Sequence, residues 1–192
     1  MKLNQSRVEI QKAENSFQSM KDSKTLHEFE THWRDFIINI EKAWIKSERE
    51  CQDFKNKFQP WQGNYVKSRR IDPLLKYMKN ARDADMHSIQ EIVEKINGSS
   101  SINPLNKKIG LHIDKLVIKN GKIVEYEGSQ PLIIENKPAK IEAIPFVNQG
   151  TTYFPPTYHK GKSLKNPKNP IEIGGLALEF YSNYLNEIEK KF

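Results

Sequence analysis

The sequence predicts an α+β fold: a helical bundle with an inserted small antiparallel β-sheet before the C-terminal helix. Three observations predict it. Apolar residues recur at three- and four-residue steps as far as Ile96. Beyond Gly98 the texture changes to alternation around Asn120-Gly121, a strong short hairpin signal. From Ile171 the helical spacing resumes. Helices segregated from an antiparallel sheet define the class. The expected organisation is a bundle core over 1–97, a β-rich insertion over 98–170, and a helix over 171–192 that returns to the bundle.

Each element has its own signal. Residues 1–22 are polar with scattered Val8, Ile10, Phe17 and Met20, a weak amphipathic helix. Ser23 or Thr25 then opens a stronger one, in which Leu26, Phe29, Trp33, Phe36, Ile37, Ile40, Trp44, Cys51 and Phe54 keep helical spacing to about Phe58, where Pro60 ends it. So long and aromatic a face requires a second long helix or a dimer partner. Gln59–Ser68, with Pro60, Trp61 and Gly63, reads as a loop that delivers Lys67, Arg69 and Arg70 to the base of the next helix. That helix is expected over Asp72–Ile96, with Asp72 as N-cap, Pro73 in the first turn and Gly98 as the stop. Ser99–Asn106 reads as a linker, Ile109–Ile118 and Lys122–Glu127 as the arms of the Asn-Gly hairpin, and Pro131–Glu135 and Lys140–Val147 as two further strands. Pro138 and Pro145 confine those two to edges or bulges. Thr151–Pro170 reads as a loop, and Pro170 marks the start of the last helix.

The residue that breaks the pattern is Arg82. It follows Met78 by four and precedes Ile89 by seven, so it falls in the apolar stripe of its helix. A guanidinium there needs carboxylate partners or a chemical role, because an unpaired buried charge is costly. Asp85 is the nearest candidate partner. His87 lies five residues on, roughly 140° around a 3.6-residue helix, and Asp83 precedes it by four, placed to hold an imidazole. These residue types suit RNA cleavage without a metal. His87 can exchange protons near neutral pH, Arg82 can fork two phosphate oxygens, and Asp83 can orient either. The same residues also admit a structural reading, with Arg82 bridged inside the bundle and His87 on the surface.

Arg82, the polar Asp83 and His87 form an Arg-x4-His spacing that resembles the signature of HEPN-fold proteins. Those are helical bundles, usually dimeric, and many are metal-independent ribonucleases of toxin–antitoxin and antiphage systems. The wider run Leu-Leu-Lys-Tyr-Met-Lys-Asn-Ala-Arg-Asp-Ala-Asp-Met-His also resembles a stretch in small bacterial proteins with a β-rich tail. The resemblance covers residues 1–97 and extends to the last helix; the sheet is outside it. It implies a homodimer, RNA as substrate, and Arg82 and His87 from two subunits meeting in a cleft. A non-catalytic binding or partner protein of the same fold is the alternative, supported by the aromatic length of the second helix.

Secondary substrate contacts are expected from Lys67, Arg69 and Arg70, and from the basic aromatic loop holding Tyr158, His159, Lys160 and Lys162. Stacking aromatics beside lysines suit single-stranded nucleic acid. A net charge of +7 permits such a polyanionic partner. His27 and His32 have nothing to complete a metal set, and neither a metal nor a cofactor is expected. No Ser/His/Asp set, phosphate-cradling Gly loop or HExxH occurs, which argues against those hydrolases and against an NTPase. The single Cys51, the absence of a long apolar run and an N-terminus without a signal-peptide core point to a cytoplasmic, non-membrane protein.

Overall fold

In the computed structural model the structure describes residues 2–87 and 90–192; the side chains of residues 85–87 lie outside the description. The fold is α+β. Among the described residues the helices are α1 (Asn4–Asp22), α2 (Leu26–Glu50), α3 (Lys55–Ile71), α4 (Pro73–His87) and α5 (Pro170–Lys191). The chain divides into two compact units, one of residues 1–95 with 141–192 and one of residues 96–140. The β-rich insertion expected over 98–170 is therefore split, its last thirty or so residues belonging to the helical unit.

The helical unit is built around α2. Thr25 caps it reciprocally with Glu28: Glu28 N–H donates to Thr25 Oγ1 at 3.1 Å and Thr25 N–H to Glu28 Oε2 at 3.2 Å. Its apolar stripe of Trp33, Phe36, Ile37, Ile40 and Trp44 is buried against α1 and α5. Polar as it is, α1 forms, because Ile10, Ala13 and Met20 are enough to line one buried face. Gly174 lets α5 approach closely, since a Cβ there would sit 3.2 Å from the rings of Phe17 and Phe36. Asn169 caps α5, accepting from Ile171 N–H at 2.9 Å, with Pro170 at its start as the sequence predicts.

Two helix boundaries differ from expectation. The long helix does not run to Phe58. It stops at Glu50, turns through a short 3₁₀ segment at Gln52–Phe54, and α3 continues to Ile71 with Pro60 inside it, so the expected loop at Gln59–Ser68 is helical. Proline in the sixth position forfeits one backbone hydrogen bond, and the burial around it offsets that loss. Phe54, Phe58, Trp61 and Phe192 form one aromatic cluster at the corner, with ring centroids 5.0–6.4 Å apart. Periodicity could not reveal the corner because both helices bury the residues that carry the period.

The helix expected to reach Ile96 is α4, described to His87. Val93–Ile96 is instead strand β1, which pairs with β6 (Lys140–Ala143). β-branched Ile92 and Val93 are both buried in that extended stretch, where their branched side chains pack well. Ile89, expected on the α4 stripe, lies outside the described residues.

The remaining strands form two-stranded ribbons. In the smaller unit β2 (Ser99–Pro104), expected as a linker, pairs antiparallel with β5 (Leu132–Lys137), Ser99 opposite Lys137 and Pro104 opposite Leu132. β3 (Ile113–Lys119) and β4 (Lys122–Gly128) form the predicted hairpin, with Asn120 at φ 51° and Gly121 at φ 73°. In the helical unit β7 (Phe146–Asn148), which begins within the expected strand Lys140–Val147, pairs with β8 (Thr151–Tyr153). The segment expected as loop carries β8 and the pair β9 (Tyr158–His159) and β10 (Lys162–Ser163). Gln149-Gly150 and Lys160-Gly161 repeat the positive-φ turn of Asn120-Gly121.

Candidate functional site

Arg82 is half-buried at the edge of the α4 core face, below Leu75 and Met78, and its Nη1 lies 2.9 Å from Asp83 Oδ1. The carboxylate expected to orient His87 thus holds the guanidinium. The side chains of Asp85 and His87, the other members of that constellation, lie outside the described residues. At about 100° per residue, positions 76, 80 and 83 fall within roughly 60° of one another, on the side of α4 opposite Met78 and Ala81.

Lys76, Lys79 and Asn80 of α4 border a cleft of about 400 Å³. Arg69 and Arg70 from α3, Lys76 and Lys79 from α4, and the rings of Trp44 and Tyr153 line it, together with Glu48, Val66 and Asn80. Arg70, Lys76 and Lys79 have no ion-pair partner among the described residues. Glu48 already accepts from Gln62 Nε2 at 3.0 Å. The cleft is therefore cationic; Arg69 and Arg70 are expected there from sequence, and Lys76 and Lys79 are added by the fold. The available signal was the recurrence of lysine at 76 and 79, three residues apart and so on one helix face.

Arg69 itself is committed to the interior. Its Nη2 donates to both carboxylate oxygens of Glu41, at 2.6 Å to Oε1, and its Nε donates to Tyr181 Oη at 3.1 Å. Tyr181 Oη in turn donates to Glu41 Oε1 at 2.7 Å. Burial opposes the charge, but Tyr181 and Glu41 outweigh it and raise the guanidinium above its ordinary pKa. Its Cζ lies 4.1 Å from the Trp44 ring centroid. Arg69 is a buried wall of the cleft, held on α3 rather than delivered by the loop expected from sequence. Lys67 is exposed on α3 and is not among the lining residues.

The loop expected to present Tyr158, His159, Lys160 and Lys162 is a hairpin pinned to the start of α4. Asp72 Oδ1 accepts from Leu74 and Leu75 N–H, both at 3.1 Å, and lies 2.9 Å from His159 Nδ1, while Oδ2 accepts from Lys160 N–H at 2.7 Å. Burial would raise the Asp72 pKa, but the His159 contact and the amides of Lys160 and Leu75 prevail and hold it below the usual range. His159 is thus buried and structural in contact, with Phe180 edge-on at 6.4 Å. Lys160 Nζ lies 5.1 Å over the Phe180 ring; Tyr158 and Lys162 are exposed. The N-cap role of Asp72 was legible, whereas its second role needed the hairpin 87 residues away.

Cys51 is buried, and burial followed by Glu50 pushes its thiol up to about 12, so it is no nucleophile. Among the described residues no three His, Cys, Asp or Glu side chains are placed to hold a metal ion, and no helix is long and apolar enough to cross a membrane. No family model, curated protein or solved structure matches the chain.

Proposed function

We propose that the protein is a metal-independent, HEPN-like endoribonuclease of a toxin–antitoxin or antiphage system, acting in the cytoplasm as a homodimer through α4. The Asp83-held Arg82 supports this reading: its Nη1 lies 2.9 Å from Asp83 Oδ1 on the same helix whose Lys76, Lys79 and Asn80 line the cationic cleft. RNA backbone phosphates occupy the cleft while the reacting phosphate meets Arg82. One His87 takes the 2′-OH proton as the oxygen attacks phosphorus, and the partner copy protonates the departing 5′-oxygen, leaving a 2′,3′-cyclic phosphate and a 5′-hydroxyl. Arg82 stabilises the phosphorane, and Asp83 keeps its guanidinium oriented. The partner-protein alternative drew on the aromatic face of α2, and that face is covered by α1 and α5 of the same chain.

The test is incubation of RNA in chelator with the wild type and with Arg82→Ala and His87→Ala proteins shown to melt normally. Cleavage is expected to fall by at least ~10²-fold in each variant, with cyclic-phosphate ends in the wild-type products. A wild type that binds RNA yet leaves it intact would sink the catalytic reading.

A further inference from the structure

The cleft between α2, α3, α4 and β8 has cations on two walls and aromatic rings on the others, and the rings decide what it can recognise. Trp44 has the Arg69 guanidinium 4.1 Å from its ring centroid and Tyr184 stacked at 4.4 Å. Tyr153 is stacked on Phe146 at 5.5 Å and has Lys76 Nζ 5.7 Å from its centroid. Each ring already has partners against it, so neither offers the open platform on which a base would stack. The cationic groups are differently placed. Glu41 and Tyr181 occupy Nη2 and Nε of Arg69, and its Nη1 has no protein acceptor among the described residues. Arg70, Lys76 and Lys79 are exposed and unpaired in the same sense.

We propose that this cleft is a base-blind site for a short run of phosphate groups, held by Arg69, Arg70, Lys76 and Lys79. Two or three phosphates suit a cavity of about 400 Å³, too small for a folded nucleic acid and well matched to a few linked anions. Arg69 is locked in place by Glu41 and Tyr181, so it presents its charge without losing side-chain freedom on binding, while the two lysines adapt to the length of the chain. The phosphates have two sources, the backbone of an RNA or a free phosphate chain. Only the first rests on the ribonuclease reading.

The experiment is calorimetric titration with tripolyphosphate at fixed ionic strength, beside orthophosphate, adenosine and adenosine triphosphate. Tripolyphosphate should bind one to one, orthophosphate at least tenfold more weakly, and adenosine not at all. Adenosine triphosphate should match tripolyphosphate. Lys76→Ala and Lys79→Ala, both exposed, should each weaken binding about tenfold, the loss of one hydrogen bond to a charged group. Lys107→Ala, in the other unit, should leave it unchanged. Displacement of tripolyphosphate by a single-stranded RNA would make the backbone the source. Failure of RNA to displace it would support a free phosphate chain and leave RNA cleavage to be judged on Arg82 and His87 alone. Absence of saturable tripolyphosphate binding, binding indifferent to both lysines, or adenosine triphosphate binding at least tenfold tighter than tripolyphosphate would overturn the proposal.

Discussion

In the helical unit Trp33, Phe36 and Tyr181 are wholly buried and Glu41, Arg69 and Asp72 are buried with them. Within residues 96–140 no side chain is buried, and Ile113, Ile118, Val124, Ile133 and Ile134 stand exposed on two-stranded ribbons. The helical unit is held by side-chain packing and by ion pairs forced indoors. The ribbons are held by backbone pairing and by turn geometry, and two-stranded ribbons in water are marginal by themselves. One chain therefore contains one region where a single substitution propagates and another where its effect stays local.

That contrast can be broken most sharply at Arg69. Arg69→Leu strands Glu41 in the interior and should cost roughly 3–5 kcal/mol, seen as a large drop in the thermal midpoint. Adding Glu41→Leu should restore much of it, because an apolar pair needs no solvation. Asp72→Ala comes next, at about 2 kcal/mol near neutral pH, from the loss of an N-cap and of the hairpin contacts. The folded-state pKa of Asp72 is depressed, so its contribution is full above the ordinary aspartate range and disappears as pH falls through the lower folded value. Urea midpoints of wild type and Asp72→Ala should therefore converge in acid. Unchanged separation at pH 2 would show that the carboxylate charge is irrelevant.

The same contrast is sharpened by weaker changes in the ribbons. Gly121 adopts φ 73° with open space around it, so Gly121→Ala costs only backbone strain, about 1 kcal/mol. Hydrogen exchange should speed up in β3 and β4 and stay constant across α2. Ile133→Thr should be the mildest, within ~0.5 kcal/mol in urea unfolding, because its side chain is 40% exposed. A large effect there would mean that the ribbon face is covered in solution.

Local signals by themselves determined the α+β class, the start of α2 at Ser23 or Thr25, the Asp72-Pro73 opening of α4, the Asn120-Gly121 hairpin and the Pro170 start of α5. Each depends on contacts within a few residues, which the order of amino acids states directly. Tertiary structure alone decided the rest. Pro60 sits inside a helix because an aromatic cluster, closed by Phe192 from the far end of the chain, outweighs one missing hydrogen bond. Arg69 is a buried strut and His159 an anchor because Glu41, Tyr181 and Asp72 reach them from 28, 112 and 87 residues away. The cleft too exists only where α2, α3, α4 and β8 converge. Burial and partner choice depend on which distant groups arrive at a site, and no local spacing encodes that.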